Sequence, residues 1–216
     1  MPLTARPAEA ARLLAQGAVV AYGSVSDWAD RAPSLRGADA ARLRGPAHPE
    51  VRARFLAARA LLHHILGATD LAYDPGGRPR LCGPASRYAV SLSHTDGLVL
   101  VGLCERTAAR LTIGVDLERT DRHLDGPRFP SHMCTPRELA RLARTPATDR
   151  NALLVRWWTS KEAYSKAVGR GLALDFRTFD TRPPPGWTLR THTLTTSETT
   201  YTAAVAIGPE STKDTP

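Results

Sequence analysis

The chain has 216 residues and a mass of 23.4 kDa, with 42% apolar and 23% charged residues. That composition supports a buried core and excludes wholesale disorder, collagen and a disulfide scaffold. The net charge of +8 and the pI near 10.0 invite a polyanion as partner. However, 26 of the 29 basic residues are arginines scattered without a run of five like charges, so most read as solvated surface.

No apolar run reaches the ~18 residues that a membrane span needs, and the longest, around Leu98–Cys104, is far shorter. Cys82, Cys104 and Cys134 form no C-x-x-C pair and are odd in number. They read as reduced thiols of a cytoplasmic protein, with a Cys/Cys/His zinc site as the competing reading. Met1–Gln16 has neither a signal-peptide core nor a cleavage site and reads as an amphipathic first helix, with Leu13 and Leu14 on its buried side.

In chain order, Ala18–Ser24 reads as a strand, and residues 25–48, broken by Pro33, Gly37, Gly45 and Pro46, as a short helix among loops. Pro49 opens a helix to Leu66, with Val51, Phe55, Ala58, Leu62 and Ile65 at helical spacing and Gly67 as its stop. Asp74-Pro75-Gly76-Gly77 is a turn. Tyr88–Ser93 and Leu98–Cys104 read as strands joined by His94-Thr95-Asp96-Gly97. Ile113–Glu118 is a further strand, and 119–135 is loop-rich. Pro136–Arg144 and Asp149–Val168 are helical, the second stopped by Gly169-Arg170-Gly171. Thr188–Thr193 and Tyr201–Ile207 close the chain as antiparallel strands before a polar tail. Helices and antiparallel hairpins alternate in two halves of similar size, 1–105 and 106–208, followed by a tail at 209–216; this is an α+β class.

Three segments carry candidate chemistry. In Gly114-Val115-Asp116-Leu117-Glu118, strand periodicity puts Asp116 and Glu118 on one face. Two adjacent carboxylates repel unless a cation lies between them, so the choice is a hard divalent ion or arginine partners. In Trp157-Trp158-Thr159-Ser160-Lys161-Glu162-Ala163-Tyr164-Ser165-Lys166, Glu162 and Lys166 share a helical face. They form either a surface ion pair or a third carboxylate beside phosphate-binding ammonium groups. Finally, Ser93-His94 at a strand end and Gly77-Arg78-Pro79 upstream are either exposed polar residues or phosphate contacts.

Together these segments resemble the Sfp-type 4′-phosphopantetheinyl transferases. The resemblance runs from the Pro49–Leu66 helix through Gly77-Arg78-Pro79, Ser91-Leu92-Ser93-His94 and Gly114–Glu118 to Trp158–Lys166 and Gly169–Leu172, and covers roughly residues 49–180. It implies a pseudo-dimer of two similar α/β halves in one monomeric chain, with coenzyme A and Mg²⁺ in the cleft. It also implies transfer of the phosphopantetheine arm of coenzyme A to a serine of an apo acyl or peptidyl carrier protein, releasing adenosine 3′,5′-bisphosphate, for fatty-acid, polyketide or nonribosomal peptide synthesis. By the motif match Asp116, Glu118 and Glu162 ligate Mg²⁺, with Asp116, Glu162 and Lys166 as the catalytic set. Lys161 and Lys166 lie along the pyrophosphate, and Arg59, Arg78 and His94 hold the adenosine 3′-phosphate. Glu162, directly or through a bound water, or another carboxylate, takes the serine proton.

The segment Cys134-Thr135-Pro136-Arg137-Glu138 departs from the family's Phe-Ser/Thr-x-x-Glu by its Phe-to-Cys change, and a capping box from Thr135 to Glu138 accounts for Glu138 without catalysis. Carrier proteins of this class are acidic, so Arg119, Arg122, Arg128, Arg137 and Arg141, with Met133 and Leu139, are candidates for docking. The competing readings are an inert coenzyme A-binding protein and a basic nucleic-acid-binding module; aromatics at only 6% disfavour the latter.

Overall fold

The computed structural model describes residues 11–15, 18–45, 47–67, 70–106, 110–126 and 128–210, and for 11–15 it describes the backbone alone. The chain divides into two compact units, 1–113 and 114–216. The division falls inside a strand, whereas the sequence suggests one at 105/106.

The first unit begins with a departure from expectation. Ala11–Ala15 (β1) is a strand, not part of a helix, and it pairs antiparallel with Ala18–Ser24 (β2), from Ala11 opposite Tyr22 to Ala15 opposite Ala18. A hydrogen-bonded ladder with a neighbour already in place overrides the short helical pattern. Residues 1–10 and the side chains of Leu13 and Leu14 lie outside what is described. Ser24 caps the four-residue helix Val25–Trp28 (α1), accepting from the Asp27 N–H at 3.1 Å. Gly37–Leu43 (α2) and Pro49–Leu66 (α3) follow, the latter with Pro at its first position and Gly67 at its end, as expected. Leu71–Tyr73 (β3) and Pro79–Leu81 (β4) pair across the turn at 74–77. Neither three-residue strand is legible by periodicity.

Tyr88–Thr95 (β5) and Leu98–Glu105 (β6) complete a sheet ordered β1-β2-β6-β5, antiparallel throughout. Central β6 is buried from Leu98 to Cys104, which explains its unbroken apolar run. α3 lays Ala57, Ala58, Ala60, Leu61 and Leu62 into a core that includes Val90, Val99 and Val101. Burial of the two leucines stabilises the unit by about 1.5–3 kcal/mol each.

The second unit carries most of Leu111–Arg119 (β7), then Phe129–Met133 (α4), Pro136–Ala143 (α5), Ala147–Val168 (α6), Thr188–Thr195 (β8) and Thr200–Pro209 (β9). The sheet order is β7-β9-β8, with β8 and β9 antiparallel. The expected α+β class is found. Residues 211–216 of the expected tail lie outside what is described. α6 ends as anticipated, with Gly169 in the left-handed region at φ 78°.

Close approach between α6 and the sheet depends on small residues. Ala163 and Ala167 pack with Ala204 and Ala206 of β9. A Cβ at Gly114 of β7 would overlap the Ala163 carbonyl oxygen and the Ala167 amide. Both obstacles are backbone, so no rotamer change relieves the clash. Gly114→Ala is therefore expected to destabilise by about 3 kcal/mol or more, at the top of the range for overpacking. Thermal unfolding of the variant checks this, and a Tm within 2–3 °C of wild type, equivalent to about 1 kcal/mol, would refute it.

Candidate active site

β7 and α6 bring the signature residues together. Asp116 and Glu118 are two apart on β7, and Trp158, Glu162 and Lys166 recur every fourth residue along one face of α6. Asp116 is 5% exposed, and its Oδ1 accepts from Lys166 Nζ at 2.6 Å. Glu118 Oε1 accepts from the Trp158 indole N–H at 3.0 Å and from Arg122. Trp158 is itself fixed by Phe129 and Phe176, at ring separations of 5.3 and 5.5 Å, and the Arg122 guanidinium lies 5.4 Å from its centroid.

Glu162 is the third carboxylate. It is 9% exposed, and its Oε1 is buried with no hydrogen-bond partner. Burial, followed by the Asp116 and Glu118 charges, pushes its carboxyl up to about 7 against the opposing pull of Lys166 and Arg122. Burial and the Asp116 charge also raise Glu118, with Arg122, the Trp158 bond and Lys166 opposing. The three acids thus form one electrostatic cluster.

Their donor chemistry, hard oxygens only with the buried Glu162 Oε1 unpartnered, suits a hard divalent cation. Even so, among the described residues no three His, Cys, Asp or Glu side chains are gathered in ligating geometry. The acids match the cation in chemistry, while the arrangement seen is that of their protein partners. Sequence reasoning gave Trp158 no role and Arg122 only a docking role. Trp158 was findable from its four-residue offset before Glu162, and Arg122 from the same offset after Glu118.

The structure corrects the expectation for Lys161. Its side chain is 0% exposed, and Nζ donates to Glu138 Oε2 at 2.6 Å, the Met133 carbonyl at 2.9 Å and the Phe176 carbonyl at 2.7 Å. An ammonium has three donors, all used here, so none remains for a pyrophosphate. Glu138 closes the expected capping box: its Oε2 accepts from the Thr135 N–H at 2.9 Å and its own N–H donates to Thr135 Oγ1 at 3.2 Å. Its Oε1 accepts from the Thr181 N–H at 3.2 Å. Met133 is also corrected, because it is buried in the core next to Cys134, not on a docking face. Burial raises the Cys134 thiol to about 11, and all three cysteines are free.

The first unit holds the other three expected residues. Arg59 is corrected: it is 8% exposed, paired with buried Asp39 at 3.2 and 3.3 Å. It also donates to the Tyr73 hydroxyl at 2.6 Å and lies 3.5 Å from the Phe55 ring centroid. A buried guanidinium needs such acceptors, and here they belong to the protein. Arg78 is half-buried before β4; its N–H donates to Asp74 Oδ1 at 2.8 Å and its guanidinium to Thr112. His94 is exposed near the end of β5.

Of the expected docking arginines, Arg119 pairs with Asp121 at 2.6 Å and Arg137 with Asp180 at 3.6 Å. The Arg141 guanidinium lies 5.8 Å from the Trp157 centroid, and Arg128 is exposed. No described helix is long and apolar enough to cross a membrane.

Residues 112–209, the stretch containing all three carboxylates, match the model of the 4′-phosphopantetheinyl transferase superfamily. The chain is 34% identical over 161 residues to the 4′-phosphopantetheinyl transferase HetI of Nostoc sp., covering 68% of this chain and 65% of that protein. It is 27% identical over 134 residues to slr0495 of Synechocystis sp., which is provisionally given the same activity, covering 58% of this chain and 53% of that protein. The chain thus spans less than two thirds of the length of either relative. Residues 112–209 thus carry the likeness to the 4′-phosphopantetheinyl transferase superfamily, a family of transferases.

Two predictions follow from these geometries. Lys161→Met leaves Glu138 buried without its counter-charge, which costs about 3–5 kcal/mol. Lys161→Met/Glu138→Gln recovers part of that loss. Denaturant unfolding of both reads the difference, and equal stability of Lys161→Met and wild type would refute the pairing. For Glu162, the folded carboxyl sits near 7, above its ordinary 4.5. The folded state then holds the proton more tightly, so this group's contribution to stability is largest below about pH 4.5 and declines as pH rises to 7. In chelator, Glu162→Gln should gain on wild type by about 2–4 °C in Tm between pH 5 and 8, on the order of 1 kcal/mol; a constant difference would refute the shift.

Proposed function

We propose that the chain transfers the 4′-phosphopantetheine arm of coenzyme A to a serine of an apo acyl or peptidyl carrier protein and releases adenosine 3′,5′-bisphosphate. The carrying observation is that the superfamily match spans the β7–α6 cluster of Asp116, Glu118, Glu162 and Lys166. Both named relatives point to the same class of reaction.

The serine oxygen bonds to the β-phosphorus, and the bond from that phosphorus to the bridging oxygen breaks. The serine proton goes to a base, and the bisphosphate leaves with the electron pair. Such displacements depend mainly on positioning and charge neutralisation. The base in this reading would be Glu162, directly or through a bound water, or another carboxylate of the cluster. The Lys166 ammonium neutralises the leaving phosphate. Asp116, Glu118 and Glu162 would hold Mg²⁺, which supplies charge neutralisation at the pyrophosphate when bound. Arg78 and His94 remain the candidates for the adenosine 3′-phosphate.

The acidic carrier would dock on arginines of the second unit. Arg137, Arg141, Arg144 and Arg182, together with Glu138 and Asp180, line an open groove of about 400 Å³. That local positive excess would speed association with an acidic partner and weaken with salt. The free cysteines accord with a reducing, cytoplasmic setting, and the reading takes the chain as a working monomer serving fatty-acid, polyketide or nonribosomal peptide synthesis.

Incubation with coenzyme A, Mg²⁺ and a panel of apo-carriers should add one phosphopantetheine per carrier by intact-protein mass spectrometry. Glu162→Ala or Asp116→Ala should lower the rate at least 100-fold, about 2.7 kcal/mol, with the fold retained. No transfer to any carrier, despite measured coenzyme A binding, would overturn the reading in favour of an inert coenzyme A-binding protein.

A further inference from the structure

The three carboxylates present an imbalance that the proposed reaction does not explain. They match a divalent cation in chemistry yet are not in ligating geometry. The reason is visible in their partners. Asp116 is bonded to the Lys166 ammonium at 2.6 Å, and Glu118 to the Arg122 guanidinium. Glu162 has a buried oxygen with no hydrogen-bond partner. Two protein cations therefore sit on two of the acids, and the third acid is left unsatisfied.

Neither cation is locked in. The Lys166 side chain is 29% exposed and that of Arg122 41% exposed, in contrast to Lys161 at 0%. Their carboxylate partners are largely buried, but each cation keeps contact with water, which can replace part of the lost interaction when the cation moves away. A buried pair such as Lys161–Glu138 is not exchangeable on those terms.

We propose that Lys166 and Arg122 are displaceable counter-cations, and that a divalent cation enters the cluster by exchange with them, chiefly by lifting Lys166 off Asp116. The exchange rests on the metal assignment made above. Its consequence is a coupling within one face of α6: the ion that draws Asp116 and Glu162 together also releases the ammonium one turn further on, where a substrate phosphate can take it. Bonding of Lys166 to Asp116 and to a phosphate would then be alternatives, and metal and phosphate would each favour the other's binding.

The test needs no turnover. Mg²⁺ and Mn²⁺ binding is measured by calorimetry without coenzyme A in wild type, Lys166→Met and Lys166→Arg. Arg170→Met serves as control: it removes the same charge from an exposed position just past α6. Removal of the competing cation should tighten binding at least tenfold in Lys166→Met, while Lys166→Arg stays near wild type and Arg170→Met changes less than twofold. Equal tightening in Lys166→Met and Arg170→Met would reduce the effect to net charge and overturn the exchange.

A second readout uses the wild-type chain. It has only three lysines, Lys161, Lys166 and Lys213, so acylation by an amine-reactive reagent followed by peptide mass spectrometry reads Lys166 cleanly. Labelling of Lys166 should rise severalfold when Mg²⁺ is added, with Lys161 protected throughout. Unchanged labelling at saturating metal would overturn the exchange while leaving the transferase reading intact. If wild type binds no divalent cation at all, with or without coenzyme A, the metal assignment falls and takes the exchange with it.

Discussion

The second unit is organised around an ammonium that water does not reach. Lys161 has no exposed surface, so each of its three protons must find an acceptor within the protein, and each acceptor comes from a different element. The Met133 carbonyl ends α4, Glu138 belongs to the first turn of α5, and the Phe176 carbonyl lies beyond α6. Glu138 carries the connection further, to the Thr135 and Thr181 amides. One buried charge pair thus fixes two helices and two loop segments against the middle of α6. The pair owes its value to completeness, because a buried ion pair missing one acceptor would cost more than it returns.

With Lys161 anchored, the rotation of α6 about its axis is set, and the next residue is turned by about 100°. That turn takes Glu162 out of the anchoring network and onto the face shared with Trp158 and Lys166. Gly114 then decides how near β7 can come, since its missing side chain is where the α6 backbone sits. The acidic cluster is the product of both constraints. Its energetics are opposite to those of the anchor: three carboxylates crowd together, two hold cations that water still reaches, and Glu162 is left with its proton affinity raised. Stability is concentrated on one side of the helix and unsatisfied charge on the other.

The first unit repeats the theme in a different chemistry. Arg59, Asp39 and Tyr73 form a buried polar knot joining α2, α3 and β3. In sequence Arg59 was a phosphate ligand by resemblance. Nothing in the spacing of the α3 residues distinguishes a guanidinium facing solvent from one facing Asp39, which lies 20 residues earlier. The same limit applied to Lys161. The residue type announces a charge, but only the tertiary structure says whether water or another side chain answers it. Periodicity also failed for β1, β3 and β4, because strands of three to five residues are held by pairing with neighbours and not by their own pattern.

Sequence alone determined much that is local or chemically compulsory. The helix Pro49–Leu66 could be read to the residue, since proline and glycine impose its ends through backbone geometry. The capping box of Thr135 and Glu138, the stop at Gly169 and the shared faces of Asp116–Glu118 and Glu162–Lys166 follow from fixed helical and strand periods in the same way. The superfamily signature rests on those shared faces. The tertiary structure alone decided which charges are buried and which are exchangeable. Lys161 and Lys166 are five residues apart, yet one is sealed by three protein acceptors and the other rests on Asp116 within reach of water. Burial depends on what packs against a helix from far along the chain, and no local period encodes that.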